Sequence, residues 1–224
     1  YKRQADVTAL RLHRTGDPAL GAAVGSVKSL QARRFRGTYA DLMGSPAFGP
    51  AAQFFLEELY SDTDYTDRDL QFGRIAGTLQ TMFPQPVVNT AVALAVLHAQ
   101  TEGLDQDMGR AWLLHEADAV NVAVRYTAAW RTVGQRHARQ QQLQRVLAMG
   151  NDLARLTRTP GLRMMLRMMR GPANAAGMGA LQKFLEAGFD TFGQLARQRG
   201  GVEQFLATIE QRERALMEQL FDAD

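Results

Sequence analysis

Cysteine is absent from the 224-residue chain. That removes disulfides, thiolate metal ligands and a thiol nucleophile together. Serine is nearly absent: Ser26, Ser29, Ser45 and Ser61 are the only four. None neighbours a histidine in sequence, and no Gly-x-Ser-x-Gly elbow exists. No apolar run approaches the roughly 18 residues of a membrane helix. Lys2, Arg3, Arg11 and Arg14 lead into no apolar stretch, so no secretory signal is expected and the expected location is cytoplasmic. Alternation of period two is missing as well, which argues against strands.

The four histidines are His13, His98, His115 and His137. No Glu-x-x-His pair occurs, so a carboxylate-bridged di-metal bundle lacks its ligands. His115-Glu116 begins a zinc-protease motif, but Ala119 stands where the second histidine belongs. Asp62, Asp64 and Thr66 imitate the start of a calcium loop. Asp67 and Gly73 then occupy the positions that need glycine and glutamate. Gly171 to Gly179 is glycine-rich, yet no Gly-Lys-Ser/Thr follows and no strand precedes it. Neither a catalytic residue nor a metal site is expected, and the reading leans against an enzyme.

What is present is helical. Asp17-Pro18 has the form of an N-cap followed by proline at the first helical position. Apolar residues from Leu20 to Leu42 then recur at helical spacing until Gly44-Ser45-Pro46. Pro50 opens a helix that carries Phe54, Phe55, Leu56, Leu59 and Tyr60. Thr66-Asp67-Arg68-Asp69 has capping-box form and announces a helix over 70–82. Pro86 opens an apolar helix expected to end near Gly103, with Asp105 capping the next one, through Trp112 and Trp130, which either runs unbroken to Gly134 or kinks near Asp118 to Asn121. Further helices are expected through Leu143 to Leu156, from Leu162 to Met169 with Gly171-Pro172 as its stop, from Met178 to Leu195, and from Val202 onward. The spacing predicts about nine helices and no strand. The expected architecture is a single all-α domain over 1–224, a multi-helix bundle with a C-terminal helical hairpin and a weak seam near 157–172.

Charge is unevenly laid out. From Arg131 to Arg170 there are nine arginines against Asp152, and from Glu57 to Asp69 six acids against Arg68. Such polarity either steers an acidic partner or sets basic and acidic helices side by side. The 23 arginines beside three lysines fit a GC-rich genome.

One string stands out: Phe54-Phe55-Leu56-Glu57-Glu58-Leu59-Tyr60. Its apolar residues nearly encircle a helix while two adjacent carboxylates break through. As it stands, the string resembles the signature of the bacterial "FFLEELY motif" proteins, and the resemblance implies no particular activity. Phe54, Phe55 and Tyr60 are read as a structural lock between early and late helices. Glu57 and Glu58 are read as anchors for arginines.

Two binding readings remain. In the first, a protein partner or a second copy meets a helix face: Arg163, Arg167 and Arg170 form a basic stripe beside Met165 and Met169. The arginine-rich region has no aromatic residue to stack bases, which disfavours nucleic acid, and the stripe is too short for a membrane surface. The sequence points to no small-molecule ligand. In the alternative, His98, late in an apolar helix that turns a corner into a long one, is similar to the proximal histidine of a globin. That likeness implies haem or another tetrapyrrole as a possible cofactor, with 70–82 as the distal helix. A core histidine bonded to Glu102 or to a backbone carbonyl fits the same pattern; no cofactor is then needed.

Overall fold

A computed structural model of the chain describes residues 16–59, 83–115 and 121–222. Asp17 caps the first helix as expected, its side chain accepting from the Leu20 amide at 3.0 Å. This helix, α1 (Pro18–Thr38), breaks at Tyr39, and a short α2 (Ala40–Met43) carries the segment to Gly44. The single long helix expected from Leu20 to Leu42 is therefore two. Helix α3 (Gly49–Leu59) opens around Pro50. Tyr60, the acidic turn and the capping box with its helix over 70–82 lie outside the described residues.

The largest departure comes next. Helix α4 (Gln85–Leu114) runs for 30 residues straight through Gly103. Asp105 is not a cap but a buried mid-helix residue, and the corner after His98 does not exist. Glycine costs a helix interior about 1 kcal/mol. Buried Glu102, Leu104, Asp105 and Met108 flank Gly103, and packing of that kind overrides propensity. Helix α5 (Val122–Val133) starts anew from Asn121, whose side chain accepts from the Val124 amide at 3.3 Å.

Helix α6 (Arg136–Thr157) ends before Pro160 as expected. After α7 (Leu162–Met168) comes α8 (Arg170–Ala175). Gly171-Pro172 sits in the first turn of α8 and does not end a helix there. Proline is tolerated in a first turn because its missing N–H would find no partner in any case. Helices α9 (Gly179–Leu195) and α10 (Gly201–Asp222) follow, joined through Gly200 at φ 69°. Ten helices and no strand stand among the described residues, so the fold is all-α. None of these helices is long and apolar enough to cross a membrane.

Helix α6 is the central pillar, packed by α4 on one side and by both α9 and α10 on others. Leu162 and Leu166, within the stretch expected to be a seam, are buried in the main core. Two apolar clusters result. The larger joins Phe35, Phe54, Phe55, Phe184, Phe192 and Phe205. The smaller joins Val27, Met108, Trp112 and Trp130, where α1 crosses α4 at Gly109. A Cβ at Gly109 would lie 2.5 Å from Val24 Cγ2, so only glycine lets the two helices approach this closely.

Candidate functional site

Between the two apolar clusters lies a cleft walled by α1, α4, α5, α6 and α10. It leaves about 90 Å³ open to water, room for a few molecules. Leu143 and Met217 also line a shallow groove of about 410 Å³ between α6 and α10, so the cleft adjoins the surface there.

Helical spacing gathers its charges. On α4, His98, Glu102 and Asp105 follow at steps of four and three, which places them on one face. On α1, Lys28, Gln31 and Arg34 follow at steps of three. Lys28 pairs with Glu102, whose Oε1 also stands 3.9 Å from His98 Nε2. Gln31 Nε2 donates to Asp105 Oδ1 at 3.2 Å. Arg34 pairs with Glu213 of α10, and the same carboxylate accepts from Tyr39 Oη at 2.7 Å.

Two groups are left less well served. Asp105 is 2% exposed. Burial pushes its carboxyl pKa up; Lys28 and Arg139 oppose that shift, while Glu102 reinforces it. Arg139 is 5% exposed, its guanidinium 4.2 Å over the Trp130 ring. Burial lowers its pKa, with Asp105 and Tyr126 pushing back. Burial likewise raises the pKa of the Tyr126 phenol. Arg139 Nε and Nη2 are buried with no hydrogen-bond partner, and so is Trp130 Nε1. Orphaned donors of this kind cost about 1–3 kcal/mol each, which makes them a sign that an acceptor belongs nearby.

His98 is the one residue proposed for a ligand from sequence that reaches this cleft, where its Nε2 faces Glu102 Oε1 across 3.9 Å. Glu58 of the aromatic string also lines the cleft, whereas Glu57 is exposed and accepts from Gln53 Nε2 at 2.6 Å. Phe54 and Phe55 meet Phe184 and Phe192 of α9 at centroid separations of 5.5 Å and 6.0 Å. Phe55 also meets Phe205 of α10 at 5.1 Å. Arg163 and Arg170 pair with Asp190 and Glu186 of α9. Arg167 lies near Glu186, whose pKa is lowered chiefly by the Arg170 hydrogen bond. Met165 and Met169 pack against the main core, while Met164 and Met168 face outward. Elsewhere in the basic run Arg136 meets Asp222 and Arg155 meets Asp152. At these positions basic and acidic helical residues are neighbours.

Lys28, Gln31, Arg34, Asp105, Arg139 and Glu213 had no functional reading in sequence. The available signal was periodicity: Lys28 and Gln31 continue the stripe of Val24 and Val27, and Glu102 and Asp105 interrupt that of Leu94 and Met108. Thr132 Oγ1 stands 2.8 Å from His115 Nε2, but this pair does not line the cleft. Among the described residues, no group of three or more His, Asp or Glu could hold a metal ion.

The profile of a family described as a domain of unknown function, DUF8198, matches residues 10–224. The chain belongs to the DUF8198 family. That description supplies no activity, ligand or partner for the DUF8198 chain. None of the curated proteins or solved structures compared with it matches.

Proposed function

We propose that the DUF8198 chain is a binding protein for a small polar molecule, taken into the cleft between its two apolar clusters. The observation that carries this reading is Arg139, nearly fully buried with two N–H-bearing nitrogens unpartnered on the wall of a space that admits water. Binding is favoured over catalysis because four of the cleft's other charges are tied to each other, Lys28 to Glu102 and Arg34 to Glu213. No hydroxyl nucleophile there is matched to a free base. Size and polarity favour a small ligand over a tetrapyrrole, which needs a wide apolar slot.

Thermal-shift and native mass-spectrometry measurements on the full chain test this, across organic acids, amines, sugars and nucleotides. At least one compound should raise Tm, and Thr101→Phe, which narrows the cleft, should abolish the rise while circular dichroism stays helical. No shift across the panel, or an identical shift in Thr101→Phe, defeats the reading. A Soret band on haem addition that disappears in His98→Ala would put the tetrapyrrole in its place.

A second reading keeps the helix-face contact with a protein partner or a second copy. Its support is the adjacent exposure of Met164 (69%) and Met168 (71%) on α7, an adaptable apolar pair beside Arg167.

A further inference from the structure

Three buried N–H donors in one cleft share a chemical demand. Arg139 Nε, Arg139 Nη2 and Trp130 Nε1 can only donate, and none has a partner. Nε and Nη2 together form the side edge of the guanidinium, whose two parallel N–H bonds match the two oxygens of a carboxylate. Stacking on Trp130 at 4.2 Å covers a face of the guanidinium and leaves that edge for something else.

Charge narrows the choice further. Among the charged liners, Lys28 and Arg34 are matched by Glu102 and Glu213. Among the described residues, Arg139 is then a cation without a close ion pair, and Asp105 is an acid whose hydrogen-bond partner is the Gln31 amide, with Lys28 and Arg139 acting on it from farther away. A dianion such as phosphate would bring excess negative charge beside Glu102, Asp105 and Glu213. A monoanion that also carries a donor suits both Arg139 and Asp105, which line the same cleft. The Asp105 carboxyl, driven towards its neutral form by burial, gains an interaction partner when an ammonium or hydroxyl reaches it.

We infer that the cleft recognises a small amino- or hydroxy-carboxylic acid, its carboxylate bidentate on the Nε–Nη2 edge of Arg139 and its ammonium or hydroxyl turned to Asp105. This rests on the small-molecule reading above and adds the chemical class.

The test uses the full chain, titrated by calorimetry and by indole fluorescence, with Trp130 beneath Arg139 as a reporter. The probes are serine, lactate and acetate, the amides of serine and lactate, ethanolamine and inorganic phosphate. Serine or lactate should bind, while the amides, ethanolamine and phosphate should not. Arg139→Lys keeps the charge and loses the fork, so affinity should fall by about tenfold or more. Asp105→Asn should erase any preference for serine or lactate over acetate.

Several outcomes overturn the inference. Amides that match the acids in affinity, or an Arg139→Lys variant that binds like the parent chain, end it. A high-resolution structure grown with the acids, in which a water bridges Arg139 to Asp105 and stays, ends it too. If sugars or amines from the wider panel bind while both acids do not, only the chemical class falls. If nothing in either set binds, the small-molecule reading falls with it.

Discussion

Phe205 and Glu213 lie about two turns apart on α10, yet they enter opposite kinds of interior. Phe205 is fully buried against Phe55 and Phe192, with ring centroids 5.1 Å and 6.5 Å away. Packing is so close there that a Cβ at Gly188 would meet Leu153 Cδ2 at 2.8 Å. Two turns on, Glu213 joins Arg34 and Tyr39 in a layer of buried charge. The aromatic region explains the stability of the fold through burial and interlocking. The charged region does not, because buried ion pairs often do no better than apolar residues of the same shape. A chain able to build the first interior has no stability reason to build the second. Charge kept at that cost is what the proposed binding role would account for.

The contrast can be broken by substitution, starting with the largest effect. Phe192→Ala in the aromatic region should destabilise by about 3–5 kcal/mol. In thermal unfolding that corresponds to a drop in Tm of about 6–20 °C for a chain of this size. A drop of only a degree or two would mean that the aromatic cluster is not the main support.

In the charged layer, Glu102→Leu alone should cost about 2–3 kcal/mol, since it strands Lys28 and removes the acid facing His98. The double change Lys28→Met, Glu102→Leu should recover most of that loss. Chemical denaturation of the single and double variants decides the matter. A double variant as unstable as the single one would make the pair a structural element after all.

The smallest effect is expected at Asp105. Asp105→Asn keeps an oxygen for Gln31 and removes a buried charge, so it should stabilise by about 1 kcal/mol at neutral pH. The sign follows from linkage. The folded-state pKa of Asp105 lies above its ordinary value of 3.8. Its contribution is therefore most favourable below that value and is lost as pH rises through the folded pKa. The gap in Tm between Asp105→Asn and the parent chain should open as pH is raised from about 3.8. A gap independent of pH would show that the carboxyl is not the cause.

Much of this architecture was legible along the chain. Asp17-Pro18 marks a helix start, Pro160 follows a helix end, and Leu185, Phe189 and Phe192 keep the spacing of a buried face, all through local chemistry. Gly103 and Asp105 misled because glycine and aspartate are common at helix ends, whereas here packing on both sides holds the helix through them. Gly171-Pro172 misled for the converse reason, since a proline in a first turn and a proline after a last turn look alike in sequence. The cleft was least legible. Lys28 and Glu102 are 74 residues apart and Arg34 and Glu213 are 179 apart. Periodicity shows that such residues interrupt apolar stripes, but only the fold shows which interruption answers which.

Glu213 has one more consequence, in time instead of space. It lies in α10, the last described helix, while Arg34 and Tyr39, which it serves, lie near the break between α1 and α2. A ribosome exposes the arginine 179 residues before the carboxylate, so the emerging chain holds an incomplete cleft over that interval. Under the proposed binding role, a ligand has no finished site until the segment around residue 213 docks.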